Sequence, residues 1–116
     1  MLGGALVEHN VLVPKIARPS LPALVEEAVE VLGARVRVAV LHALNEHGPS
    51  TKADLLRLLG GSEGNLHRHL TALETAGVVV ASPSRDDEVG PVMRRYRVDQ
   101  ERVRLLLDAL SSAVTA

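Results

Sequence analysis

At 116 residues the chain has room for one hydrophobic core but not two, and 47% apolar against 23% charged side chains marks a folded globular chain rather than a disordered one. One Tyr and no Phe or Trp leave Leu, Val and Ala to build the core, and exclude recognition of single-stranded nucleic acid on aromatic stacking platforms. The absence of Cys excludes disulfides, thiolate metal sites and Cys nucleophiles, and a net charge of −1 lacks the basic excess of many nucleic-acid-binding domains.

The N-terminal apolar run has no basic region before it, and no stretch approaches the ~20 apolar residues that would span a bilayer. A soluble, cytoplasmic protein without a membrane partner is expected. Residues 1–19 are read as an N-terminal arm or strand: Leu6 to Val13 has strand character, but Pro14 and Pro19 prevent any long regular element. Residues 20–116 form the expected domain. Ser20 is its first expected helix cap, with Pro22 in the first turn. That helix puts Leu24, Val25, Ala28, Val29 and Leu32 on an apolar side and Glu26, Glu27 and Glu30 outward, and ends at Gly33.

Ala34 to His47 has two competing periodicities. Val36, Val38 and Val40 alternate with Arg35 and Arg37 as in an exposed strand, whereas Val36, Ala39, Val40, Ala43 and Leu44 fit helical spacing over a longer span. Length decides for a helix, with Gly48-Pro49 as its stop. Thr51 and Asp54 then make a capping pair for a helix with Leu55, Leu56 and Leu59 on its apolar face, ending at Gly60-Gly61. Ser62 caps the next helix, with Glu63 near its positive end, and that helix runs to Ala76 before Gly77. Leu66, Leu70 and Leu73 fall on one side of it. Asn65, His67, Arg68, His69 and Thr71 fall between them, all able to donate hydrogen bonds.

Val78 to Ser82 reads as a strand, Pro83 to Pro91 as a nine-residue polar tip, and Val92 to Val98 as the returning strand of a hairpin. Gln100 to about Val114 is a helix with Val103, Leu106, Leu107 and Leu110 on one side. The expected fold is mainly α with a small β-hairpin, a winged helix-turn-helix.

The segments L-G-A-R-V-R-V-A-V-L-H-A-L (Leu32–Leu44), T-K-A-D-L-L-R-L-L-G (Thr51–Gly60), L-H-R-H-L-T-A-L-E-T-A-G-V-V (Leu66–Val79) and R-R-Y-R-V (Arg94–Val98) resemble ArsR-type winged-helix transcriptional regulators. The similarity covers roughly residues 22–112, and its most specific run is R-H-L-x-x-L-x-x-A-G-V from Arg68 to Val78. The resemblance implies a homodimer paired through its first and last helices, with a recognition helix at about residues 63–76 in the major groove of near-palindromic double-stranded DNA. By the same resemblance, Asn65, His67, Arg68 and Thr71 face base edges or nearby phosphates. His69 sits at the helix margin, partly packed, and Thr51 and Lys52 contact phosphates. With Ser62 at the helix start and Arg85, Arg94 and Arg95 on the wing, these make the candidate DNA-binding set.

The chain departs from the family pattern at Gly61, where an apolar turn residue is usual, at Gly64 in the first turn of the recognition helix, and at an acidic wing tip of Asp86, Asp87 and Glu88. It also lacks the ligands of metal-sensing members. Lys52 to Gly60 contains no Cys, and the last helix has Asp108 and Glu101 but no His. His67 and His69 are two residues apart and point different ways, His42 and His47 lie on the preceding helix, and His9 lies in the arm. No phosphate loop or catalytic constellation is present, so no metal, cofactor or enzymatic activity is expected. The expected function is a sequence-specific DNA-binding transcriptional regulator, a homodimeric repressor. The neutral charge and acidic tip keep open a winged-helix protein–protein interaction module, and a DNA-organising role is the other alternative.

Overall fold

The computed structural model describes residues 19–84 and 93–115. Among these, the chain runs α1 (Ala23–Leu32), α2 (Arg35–His47), β1 (Ser50–Thr51), α3 (Lys52–Leu59), α4 (Glu63–Thr75), β2 (Val79–Ser82), β3 (Arg95–Val98) and α5 (Gln100–Val114). This is a mainly helical fold with a small antiparallel sheet, a winged helix-turn-helix. The expected arm falls almost wholly outside the described residues, as do the wing tip and Arg85.

Two expectations for α1 are corrected. Ser20 is not its cap: Pro22 is the N-cap residue, without a side-chain cap bond, and the helix begins at Ala23. A residue before proline is pushed out of the helical region, so Leu21 cannot be a first helical residue. The buried line is also rotated from the expected stripe, to Val25, Ala28 and Val31 with Leu32 half-buried, while Leu24 and Val29 stay exposed. α1 packs against α5, and Ala28 and Val31 join Leu106 in the core.

The competing pattern in α2 resolves as helix. Val40, Leu41, Ala43 and Leu44 are buried, whereas Val36 and Val38 face outward. Leu55, Leu70, Leu73 and Leu106, from α3, α4 and α5, are fully buried and meet Ala28, Val31, Val40, Leu44, Val78 and Tyr96 in one core. The expected stripes on α3 and α5 are narrower than drawn: Leu59 and Leu107 are exposed.

The sheet has three strands rather than two, in the order β1-β3-β2, all antiparallel. Ser50 pairs with Tyr96 and Thr51 with Arg95, while Val79 to Ser82 pair with Val98 to Arg95. The two strands of the hairpin are shorter than expected, because Val78 lies before β2 and Arg94 before β3. Tyr96 is buried beneath this sheet, with Arg95 and Arg97 on its open face, as period-two alternation requires.

One arginine ties the last helix to the rest. Arg102 on α5 donates through Nε to the Ala76 carbonyl at 3.0 Å, just past the end of α4, and pairs with Glu27 of α1 at 2.6 Å. The backbone amide of Arg102 is in turn held by the Asp99 cap at 3.1 Å. The chain leaving α4 is thus fixed against both outer helices.

Candidate nucleic-acid interface

The helix-turn-helix is α3, a glycine turn and α4. Both halves of the expected capping box form: Asp54 N–H donates to the Thr51 hydroxyl at 3.1 Å, and Thr51 N–H donates to the Asp54 carboxylate at 3.0 Å. Arg57 adds a contact to the same carboxylate at 2.5 Å. The amide of Thr51, then the Arg57 guanidinium and the Thr51 hydroxyl, hold the Asp54 pKa at about 2. Thr51 is buried with its hydroxyl committed to this cap.

The turn explains Gly61. Gly60 and Gly61 run in succession at φ +76° and +86°, a left-handed conformation that glycine adopts without penalty. An added Cβ at either would meet no atom within 4 Å, so the backbone angle and not crowding demands glycine. Ser62 then caps α4, accepting from Asn65 N–H at 3.2 Å.

On α4, Leu66, Leu70 and Leu73 are buried and anchor the helix. His67, Arg68 and Thr71 are exposed, and Asn65 is half-buried. These outer side chains are held by neighbours. An Arg68 guanidinium nitrogen donates to the Asn65 side-chain oxygen, one turn earlier. Lys52, at the start of α3, donates its ammonium to His67 Nδ1 at 3.1 Å. Gly64 lies one turn before Arg68 on the same outward line, exposed, with no atom within 4 Å of where a Cβ would stand.

His69 stands apart from this face. It is half-buried and accepts at Nδ1 from Arg37 Nε of α2 at 3.2 Å. Arg37 also donates to the Glu30 carbonyl at 3.0 Å and lies 3.8 Å from its carboxylate. Removal from water, then the charges of Arg37 and Arg68, push the His69 pKa below its ordinary value. This matches its expected place at the helix margin and gives it a positioning part, since it fixes α4 to α2.

On the wing, Arg95 is exposed, whereas Arg94 is partly buried and donates through Nε to the Pro83 carbonyl at 3.2 Å. Arg97 is a further exposed cation on this face, outside the expected set. The signal was present in R-Y-R, because a buried Tyr96 puts both flanking arginines on the open face. Arg37 was passed over for a different reason: its partner lies 32 positions away.

Among the described residues the histidines do not come together. His67 and His69 each accept from a cation, Lys52 and Arg37, which is the reverse of a shared metal site. Among the described residues no group of three His, Asp or Glu side chains is placed to hold a metal, and no helix is long and apolar enough to cross a membrane.

This arrangement, a capped helix, a two-glycine turn, a helix with a polar outer side and a hairpin behind it, defines a winged helix-turn-helix. Residues 32–80, from the end of α1 into β2, match the model of a family described as a helix-turn-helix domain. The match spans less than half of the chain. No curated protein sequence matches it.

Proposed function

We propose that the protein is a sequence-specific, double-stranded DNA-binding transcriptional regulator of ArsR-like type, acting in the cytoplasm as a homodimeric repressor and not as an enzyme. The observation that carries this reading is α4 itself. It is anchored by three buried leucines and presents His67, Arg68 and Thr71 outward beside Asn65, within the segment that matches a helix-turn-helix domain. A helix of this kind fits the major groove with its N-terminal half toward base edges. Lys52 and Ser62 lie at the helix starts, where amides and an ammonium suit phosphate oxygens, whereas Thr51, expected beside them, is buried with its amide and hydroxyl both engaged by Asp54. Arg94 and Arg95, with Arg85 as expected from the sequence, supply affinity that does not depend on sequence.

The proposed dimer is supported by α5. Val103, Leu107, Leu110 and Val114 follow one another at helical spacing, and Leu107 and Val114 are 49% and 72% exposed. An apolar edge of this kind beside the α1–α5 contact suits a second copy, which would set two α4 helices about one turn of DNA apart.

Selection of bound duplexes from a random pool with the purified protein tests this reading. The expected result is a near-palindromic motif with half-sites about 10 base pairs apart centre to centre. An enriched pool with no symmetry would remove the dimeric repressor. The net charge of −1 favours, as second reading, a module that binds another protein, and failure to enrich any duplex would turn the account toward it.

A further inference from the structure

We propose that the cleft between the start of α2 and the glycine turn binds a small amphipathic acid, an apolar body of about ten non-hydrogen atoms that carries one carboxylate. The site goes beyond the DNA-binding reading and does not depend on it.

The cleft has a volume of about 270 Å³ and is walled by Val36 and Ala39 of α2, Leu59 at the end of α3 and Leu66 of α4. Val36 and Leu59 are 38% and 37% exposed, so large apolar side chains from two helices meet solvent around one opening. Gly60 and Gly61 complete the wall, and neither has an atom within 4 Å of where a Cβ would stand. Their left-handed backbone favours glycine, so no side chain of the turn fills the space. An apolar cavity of about 150 Å³ takes a benzene ring. This one has room for a ring and a short side chain, and an apolar body seated there takes Val36 and Leu59 out of water.

Charge sets what that body carries. Arg35 is the charged residue among those lining the cleft, and no Asp or Glu lines it. Arg35 is exposed and has no hydrogen bond or ion pair among the described residues. Glu63, the acidic residue nearest the turn in sequence, is exposed and stands outside the lining set. A guanidinium pairs with a carboxylate through two parallel N–H···O bonds. Ser62 and Asn65 also line the cleft, and bring a hydroxyl and an amide that can donate to an acceptor within it. A cation would be repelled by Arg35, and a neutral body would gain nothing from it.

The test is an NMR titration of the isotope-labelled full chain with phenylacetate, and with phenylacetamide, which has the same shape and no charge. Saturable shifts of backbone amides at residues 35–39 and 59–66 are expected with phenylacetate. Phenylacetamide should bind about fivefold more weakly, the scale of an exposed ion pair. Arg35→Gln should weaken phenylacetate by the same factor and leave phenylacetamide unchanged. Arg104→Gln, at an exposed arginine on α5, should change neither. Ala39→Leu, which fills the cleft, should abolish both, and Arg35→Gln carries the test alone if that variant fails to fold. Shifts scattered over the surface, no saturation with either compound, or equal binding of acid and amide to the unaltered chain would overturn the proposal. No arm contains DNA, so such a failure leaves the DNA-binding reading standing.

Discussion

At Gly61 the backbone runs at φ +86°, where any other L-residue is strained, whereas Gly64 lies inside α4 with open space around its Cβ position. The two therefore respond oppositely to alanine. Gly61→Ala is expected to cost about 1–2 kcal/mol. Gly64→Ala is expected to stabilise by up to about 1 kcal/mol, because alanine is the better helix former. Urea unfolding of the two variants checks both signs, and a destabilised Gly64→Ala would mean that the helix start is strained in a way its geometry does not show.

His69 and Asp54 each contribute to the acid side of the stability profile. In the folded chain His69 binds a proton less readily than its ordinary value of 6.5 implies, because it is removed from water and faces Arg37 and Arg68. The unfolded chain then holds more protons on lowering the pH, so stability falls as the pH drops below about 6.5. Asp54 acts lower down: its contribution is present above 3.8 and is lost as the pH falls toward 2. Thermal unfolding between pH 8 and pH 2 should show two descending regions, and His69→Gln should flatten the upper one. An unchanged upper region in that variant would assign it to another group.

Among the elements, α4 and the wing divide the proposed work. Arg68 belongs to the reading side, so Arg68→Ala should relax sequence preference, with a loss of roughly 1–3 kcal/mol on the preferred site and little on other sequences. Arg95 is exposed on β3, and Arg95→Ala should weaken all duplexes alike and lower the salt slope by about one. Anisotropy titrations of preferred and scrambled duplexes across a salt series separate the two effects. An Arg68→Ala protein with unaltered preference would place the reading surface elsewhere.

The elements also show what the sequence makes legible. The Thr51–Asp54 box, the Ser62 cap and the Leu66, Leu70, Leu73 line are local patterns, and each is found where spacing put it. β1 was missed because two residues carry no periodicity; Ser50 and Thr51 become a strand only when β3 arrives, some 45 positions later. The α1 stripe was rotated for a similar reason. Leu24, Val25, Ala28 and Val29 are all apolar, and the packing of α1 against α2 and α5 decides which of them are covered. Within the site, outward positions followed from helical phase, whereas the pairings Lys52–His67 and Arg37–His69 join different helices and left no mark in spacing.

At the scale of the whole molecule, the outer helices α1 and α5 pack together and Arg102 links both to the end of α4. In the proposed dimer, changes at the α5 edge would act on DNA binding by separating two half-site readers rather than by altering either. Leu107→Asp, at a side chain 49% exposed, is expected to leave the fold intact and convert a dimer to a monomer in analytical ultracentrifugation. A dimer that persists in this variant would require a different pairing surface.

The central claim is that this chain binds duplex DNA, and its most direct test is titration of a fluorescent random-sequence duplex with the purified full chain at low salt. Binding at micromolar protein that weakens steadily as salt is raised is the predicted result. No binding at micromolar protein, even at the lowest salt, would contradict it.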